Sequence, residues 1–371
     1  MKSWIVLLLI ALTACGPTVD ETPNPSETAS EEASSQPDEG RAKFEPPDGH
    51  ILVFAGQSND AVGGHDQHDD GYVDHFGVPA GFSHYVGFLE GVTTPLGYDF
   101  DEGRIEGLSD WDYWGAGPMC LKCYLDDPDF AGTFVHLALS MENGSAERLA
   151  QGEPDVNVEE LAAFLETYSA FPFFLRIGYE FDGEWNAYEP EAYKAAYRRI
   201  VDELRAAGMT NFATVFASSH HTLPRERWEA YYPGPLYVDW LGYSWWGPAV
   251  GKDGEEPLPV AAELAREWDK PLLMAEVGPR HYRVGQDETE KVWAWYESLF
   301  QHIEEFDDVV KGLAIINNHW DPEPMWKDGD WGDFRLQQDP VIQQRWQEKM
   351  SQPPFIHRTD GLYELIRFSA E

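Results

Sequence analysis

Two glutamates close apolar runs in similar company. Glu180 ends FLRIGYE and is followed by FDGEWNAY, and Glu276 ends PLLMAE and is followed by VGP. A carboxyl group among aromatic and amide side chains can be held neutral until it donates a proton, while a second one stays ionised and attacks carbon. Two such acids about 5–5.5 Å apart across a cleft are what retaining hydrolysis of a glycosidic bond requires. One strand-end glutamate alone would read as a surface salt-bridge partner; the matched pair points to chemistry.

The elements that must position them follow from the hydrophobic pattern. Eight short β-branched and aromatic runs are expected as strands: 50–55, 85–90, 133–140, 173–178, 212–218, 238–244, 271–276 and 312–318. Helical patterns are expected over 157–170, 190–208, 259–268, 288–306 and 339–350, the second opening at Pro190 and stopping at Gly208. Such a start and stop fit helix-end chemistry. Alternating strands and helices argue for an α/β fold with parallel βαβ units, and eight of them for a closed (β/α)8 TIM barrel. An open nucleotide-binding sheet is disfavoured, because no G-x-G-x-x-G follows the first strand. In a barrel the chemistry sits at the strand C-termini, so Glu180 and Glu276 belong on one rim, ending strands four and seven.

Other residues near these ends are candidates for the same cleft. Arg176, inside strand four, is expected to point into the barrel, where its charge favours an ionised Glu276. Tyr243, ending strand six, is expected to hydrogen-bond Glu276. Trp320, beyond strand eight, is placed to floor the sugar site at the cleaved bond. Asp182, Trp185 and Asn186 on the loop after Glu180, His220 and His221 after strand five, and Trp245 and Trp246 after strand six are candidates to bind hydroxyls or stack on rings.

The segments RIGYEFDGEWNAYEPEAYKAAYRRI, YYPGPLYVDWLGYSWWG and KPLLMAEVGP resemble the corresponding blocks of glycoside hydrolase family 26. The resemblance implies Glu180 as acid/base, Glu276 as nucleophile, hydrolysis by double displacement with retention, and no cofactor. Mannanases of that family carry a histidine directly before the acid/base, whereas this chain has Tyr179. Tyrosine there, followed by EFDG, WN and Y, resembles the β-1,3-xylanase branch, so an endo-β-1,3-xylanase is expected ahead of a mannanase or β-glucanase.

Composition agrees with a neutral polysaccharide as partner. The chain has 66 acidic and 26 basic residues, a formal charge of −40, which disfavours nucleic acid and anionic glycans. Its 15 tryptophans supply faces for sugar rings. MKSWIVLLLIALTACG has a basic start, a short apolar core and small residues before a cysteine. It resembles a bacterial lipobox, so residues 1–14 are expected as signal peptide and Cys15 as the lipidated residue, placing the protein in the cell envelope or secreted. Residues 15–43, rich in Pro, Ser, Thr and Glu, are expected as a disordered linker, with the catalytic domain spanning 44–371. Cys120 and Cys123 cannot complete a metal site alone, and in an oxidising compartment a local disulfide is expected. No heptad or repeat suggests an oligomer, so a monomer is expected. Two readings of other classes stay in view. GQSND after the first strand resembles the nucleophile block of SGNH-type esterases through Ser58, although no Asp-x-x-His supplies the base. A barrel retained only for glycan binding is the other.

Overall fold

The computed structural model describes residues 40–369 except 89–91, 94–95, 101–103, 153–155, 249–258 and 328. The signal peptide, Cys15 and the linker up to residue 39 lie outside the described residues. Each expected apolar run forms a parallel strand: β1 (Ile51–Gly56), β2 (Gly81–Gly87), β3 (Phe134–Ser140), β4 (Phe173–Ile177), β5 (Phe212–Ser218), β6 (Trp240–Trp245), β7 (Leu272–Val277) and β8 (Val310–Ile316). They pair in chain order, and β1 closes on β8 from Leu52↔Gly312 to Gly56↔Ile316. The result is a (β/α)8 barrel.

Strand β2 departs most from expectation, running over 81–87 where the apolar pattern suggested 85–90. Polar residues near its start obscure it, yet Ser83 and His84 are buried and bonded, to His136 Nδ1 at 2.9 Å and Asn59 Oδ1 at 3.0 Å. A buried polar group costs little once it has such a partner.

Helices α1 (Val156–Thr167), α2 (Pro190–Ala206), α3 (Arg225–Tyr231), α4 (Val260–Trp268), α5 (Thr289–Glu305) and α6 (Pro340–Met350) surround the barrel. Helix α3 escaped the sequence pattern because it is two turns long. The first two units carry short helices, Asn59–Val62, Tyr72–Phe76 and Leu121–Leu125, and the last lies beside the Cys120–Cys123 disulfide.

Alternation along the strands divides two apolar layers. Ile51, Val53, Leu175, Leu241 and Leu272 face the helices, whereas Leu52, Phe54, Phe174, Trp240 and Leu273 fill the barrel. Gly81 leaves room for Phe54, whose Cδ1 would lie 2.6 Å from an added Cβ. Phe44, Leu362 and Ile366 cap the bottom. Residues 40–43, expected as linker, belong to this cap, since Trp240 Nε1 donates to Lys43 O at 2.7 Å. Above the aromatic floor the interior turns polar, so the rim is where function must be sought.

Phe174 packs against Phe44, Phe54, Phe134 and Trp240 with centroids 5.2–6.0 Å away. Phe174→Ala is expected to cost about 3–5 kcal/mol of stability, read from denaturant unfolding.

Candidate active site

The interior position above Phe174 in β4 is Arg176, fully buried. Its Nη1 donates to Glu276 Oε1 at 2.5 Å and to Tyr85 Oη at 3.0 Å, and its Nη2 donates to Ser244 Oγ at 3.3 Å. Ser244 in turn donates to Glu180 Oε1 at 2.6 Å, and Glu180 Oε1 lies 3.9 Å from Arg176 Nη2. One guanidinium thus stands between the two carboxyl groups expected to do chemistry.

Local backbone devices aim both acids. Strict alternation would send Glu276 outward with Leu272 and Met274. A register shift intervenes: β6 partners jump from Tyr243↔Met274 to Ser244↔Glu276, and the β7–β8 pairing slips between Met274 and Val277. A bulge of this kind re-aims a side chain. Glu180 sits at φ +49°, in the left-handed region, just after Gly178 at φ +56°. A Cβ on Gly178 would lie 2.5 Å from Met141 Cε and Tyr193 Cε2, so this turn requires glycine. A left-handed non-glycine residue costs of order 1–3 kcal/mol and persists only when its surroundings hold it. Asn186 Nδ2 does so, donating to Tyr179 O at 2.8 Å and Glu180 O at 2.9 Å.

The electrostatics separate the two acids. Burial first, then the charge of Glu276, pushes the Glu180 carboxyl up to about 8, against the opposing pull of Arg176 and Ser244. Glu276 holds the direct ion pair. Beneath them, burial and then Arg176 hold the His136 imidazole well below its ordinary range, so no second cation competes. The site therefore holds one carboxyl that keeps its proton and one ion-paired carboxylate.

Similarity to known proteins agrees with this geometry. The model of "Glycosyl hydrolase family 26" matches residues 139–319. The chain is 30% identical over 346 residues to "Beta-1,3-xylanase TXYA" of a Vibrio species, covering 87% of this chain and 69% of that one. It is 28% identical over 352 residues to a "Beta-1,3-xylanase" of an Alcaligenes species, covering 89% and 69%. The chain belongs to glycosyl hydrolase family 26. It is a glycoside hydrolase, as its resemblance to that family implied. A family 26 β-mannanase from Bacteroides ovatus shares the fold, with TM-score 0.58 and 16% identity over 87% of this chain and 94% of that one.

Within this family 26 barrel several expected residues take other places. Tyr243 does not reach Glu276: it faces the helices, fully buried, with its Oη 3.0 Å from His302 Nε2. The interior position is its neighbour Ser244, which the alternation from Trp240 through Gly242 would have identified. Trp245 likewise points outward, packed on Trp295 and His302 with centroids 5.0 and 5.5 Å away. His221 is buried against the same His302. Asp182 is spent on structure, accepting from Ser219 N at 2.7 Å and Ser219 Oγ at 2.6 Å. Asn186 commits Nδ2 to the backbone, while its Oδ1 has no partner among the described residues.

Other expected residues remain open to a ligand. Trp185 is 63% exposed and His220 is exposed, on the loops after β4 and β5. Trp246 is half-buried in a cluster with Trp326 and Trp331, at centroid distances of 4.7–5.9 Å, around Trp320, which is itself fully buried and has no open face. Tyr179 lies edge-on to Tyr85 at 5.1 Å and under the Arg176 guanidinium at 5.4 Å, with its Oη 3.4 Å from Glu142. Tyr85, Glu142 and Ser244 had no signal as isolated residues; only strand phase marks Tyr85 and Ser244. Ser58 caps a short helix and donates to Asn318 Oδ1 at 2.8 Å.

Glu180 makes stability depend on pH. Its folded value of about 8 exceeds the ordinary 4.5, so the native state holds an extra proton between them. That contribution is complete below the ordinary value and is lost as pH rises through the folded one. Calorimetry should show Glu180→Gln gaining in melting temperature over the wild type between about pH 5 and about pH 9. An unchanged gap would contradict a buried, late-titrating Glu180.

Proposed function

We propose that this family 26 enzyme is a retaining endo-β-1,3-xylanase in which Glu180 is the acid/base and Glu276 the nucleophile. The observation that carries the reading is the single Arg176 guanidinium, ion-paired with Glu276 and separated from Glu180 by Ser244. Glu180 donates its proton to the departing glycosidic oxygen. Glu276, oriented through Oε1, attacks the anomeric carbon and forms a glycosyl-enzyme. Glu180, now a carboxylate, takes a proton from water, which attacks the same carbon and releases the sugar with its configuration retained. Ionised Glu276 needs no further activation, and neutral Glu180 requires no general acid from solvent.

Tyr179 supports xylan as the substrate, because it stands where the family's mannanases carry histidine, and so does the similarity to two β-1,3-xylanases across most of the chain. Mannan and mixed-linkage β-glucan are the second reading. Parallel digestion of the three polymers should release reducing sugar chiefly from β-1,3-xylan; release from mannan alone would sink the xylan assignment. Glu180→Gln should lower kcat by about 10²–10⁴-fold, and wild-type activity should fall as pH rises through about 8, as the acid loses its proton. Proton NMR of the first product should show the β-anomer.

The lipobox-like MKSWIVLLLIALTACG supports a lipid anchor on Cys15 that holds a monomeric domain at the cell envelope. Detergent partitioning should place the wild type with membranes and Cys15→Ser in the soluble fraction; equal partitioning would refute the anchor.

A further inference from the structure

The left-handed turn that delivers Glu180 leans on the segment leaving β3. Met141 Cε would lie 2.5 Å from a Cβ on Gly178, so its methyl packs directly against the turn. Met141 N donates to Tyr188 Oη at 3.0 Å, which ties this segment to the end of the loop that follows Glu180. The next residue is Glu142. Its backbone N–H donates to Ser140 Oγ at 3.3 Å, and that hydroxyl donates to Glu142 Oε1 at 3.0 Å, so the carboxyl group is fixed by its own local turn.

The carboxyl group so placed meets Tyr179. Tyr179 Oη donates to Glu142 Oε1 at 3.4 Å. Burial pushes the Glu142 carboxyl up from its ordinary range, and the opposing pulls come from the Ser140 and Tyr179 hydroxyls, with no cation among them. A partly buried carboxylate without a counterion depends on its hydrogen-bond donors, and bonds to an ionised acceptor are roughly twice as strong as neutral ones. Ser140 is a donor from the same turn; Tyr179 reaches Glu142 from another strand end.

Tyr179 is thereby held on every side. Its ring lies edge-on to Tyr85 at 5.1 Å and under the Arg176 guanidinium at 5.4 Å, and its carbonyl oxygen accepts from Asn186 Nδ2 at 2.8 Å. Its hydroxyl is held by Glu142. Glu180 follows directly, at φ +49°. A residue in that region persists there only while its neighbours restrain it, so a loosened Tyr179 loosens the acid beside it. The double-displacement steps themselves give Glu142 no proton to move and no bond to form.

We infer that Glu142 is a positioning residue, which acts through the Tyr179 hydroxyl to hold Glu180 against the departing glycosidic oxygen. The inference rests on the reading of Glu180 as acid/base and not on which glycan is cut. Displacing a reacting group by about 1 Å can lower a rate on the order of 10²-fold. Here the loss falls on the step in which Glu180 gives up its proton. A sugar oxygen needs that proton in order to leave, whereas dinitrophenolate leaves as a stable anion without it.

The test is kcat/KM, which reports the reaction up to departure of the leaving group, on an oligosaccharide of whichever β-glycan the protein cleaves and on the dinitrophenyl β-glycoside of the same sugar. In Glu142→Gln and in Tyr179→Phe the oligosaccharide value should fall about tenfold, while the dinitrophenyl value stays within about twofold of wild type. The double variant should lose no more than about tenfold, because both substitutions break one link. Glu180→Gln sets the reference and should show the same split more steeply.

A loss equal on both substrates overturns the proposal, since it marks a structural role or a contact with the sugar. An undiminished oligosaccharide value in both single variants overturns it as well, as does a double variant whose loss is the product of the two single losses. If Glu180→Gln itself loses both substrates equally, the acid/base assignment falls and this inference falls with it; if Glu180→Gln shows the split and the two single variants do not, only the inference falls.

Discussion

The buried charge of Arg176 is the constraint around which the upper barrel is organised. A guanidinium removed from water costs several kcal/mol unless its donors and its charge are satisfied. Glu276 supplies the counterion, Tyr85 accepts from the same Nη1 and Ser244 from Nη2, while Nε has no partner among the described residues. One cation neutralises one carboxylate, so a second ionised carboxylate beside the pair would be uncompensated. Burial first, and then this uncompensated charge, keep the proton on Glu180, and the proposed division between acid and nucleophile rests on that difference. His136 beneath stays neutral because burial first, and then the facing charge of Arg176, disfavour a second cation.

The backbone departs from regular geometry where that charge arrangement needs it. Glu276 reaches the interior through a register shift in β7, and Glu180 through a left-handed turn restrained by Asn186. Both departures have support from neighbouring elements: the β6 and β8 ladders flank the first, and a side-chain amide closes the second. The aromatic floor of Phe54, Phe134, Phe174 and Trp240 supplies the rigid base for both. Strain at the rim and close packing below are thus parts of one design, in which the packed layer fixes the polar layer above it.

Around the carboxylates the rim offers surfaces suited to a neutral polymer. Partly buried Trp246, Trp326 and Trp331 present indoles near β6 and β8 around the fully buried Trp320, and exposed Trp185 lies on the loop after β4. The chain's acidic excess is compatible with hydroxyl-bearing ligands and opposed to anionic ones.

Much of this was legible in the sequence because the signals were local. Hydrophobic runs of strand length, Pro190 at a helix start and two glutamates at strand ends are written in neighbouring residues, and they determined the barrel, its rim and both acids. Tyr179 and its flanking EFDG, WN and Y likewise carry the resemblance to one branch of the family in one short segment. Only the tertiary structure decided the rest. Whether Tyr243 or Ser244 faces inward depends on strand phase, and the phase at Glu276 depends on a bulge that no local pattern encodes. Asp182 looks like a ligand-binding residue until Ser219 claims both its oxygens, and Asn186 until the Glu180 turn claims its Nδ2. Arg176 shares its charge with residues on three other strands, a balance that exists only when the barrel closes and brings them within hydrogen-bond reach.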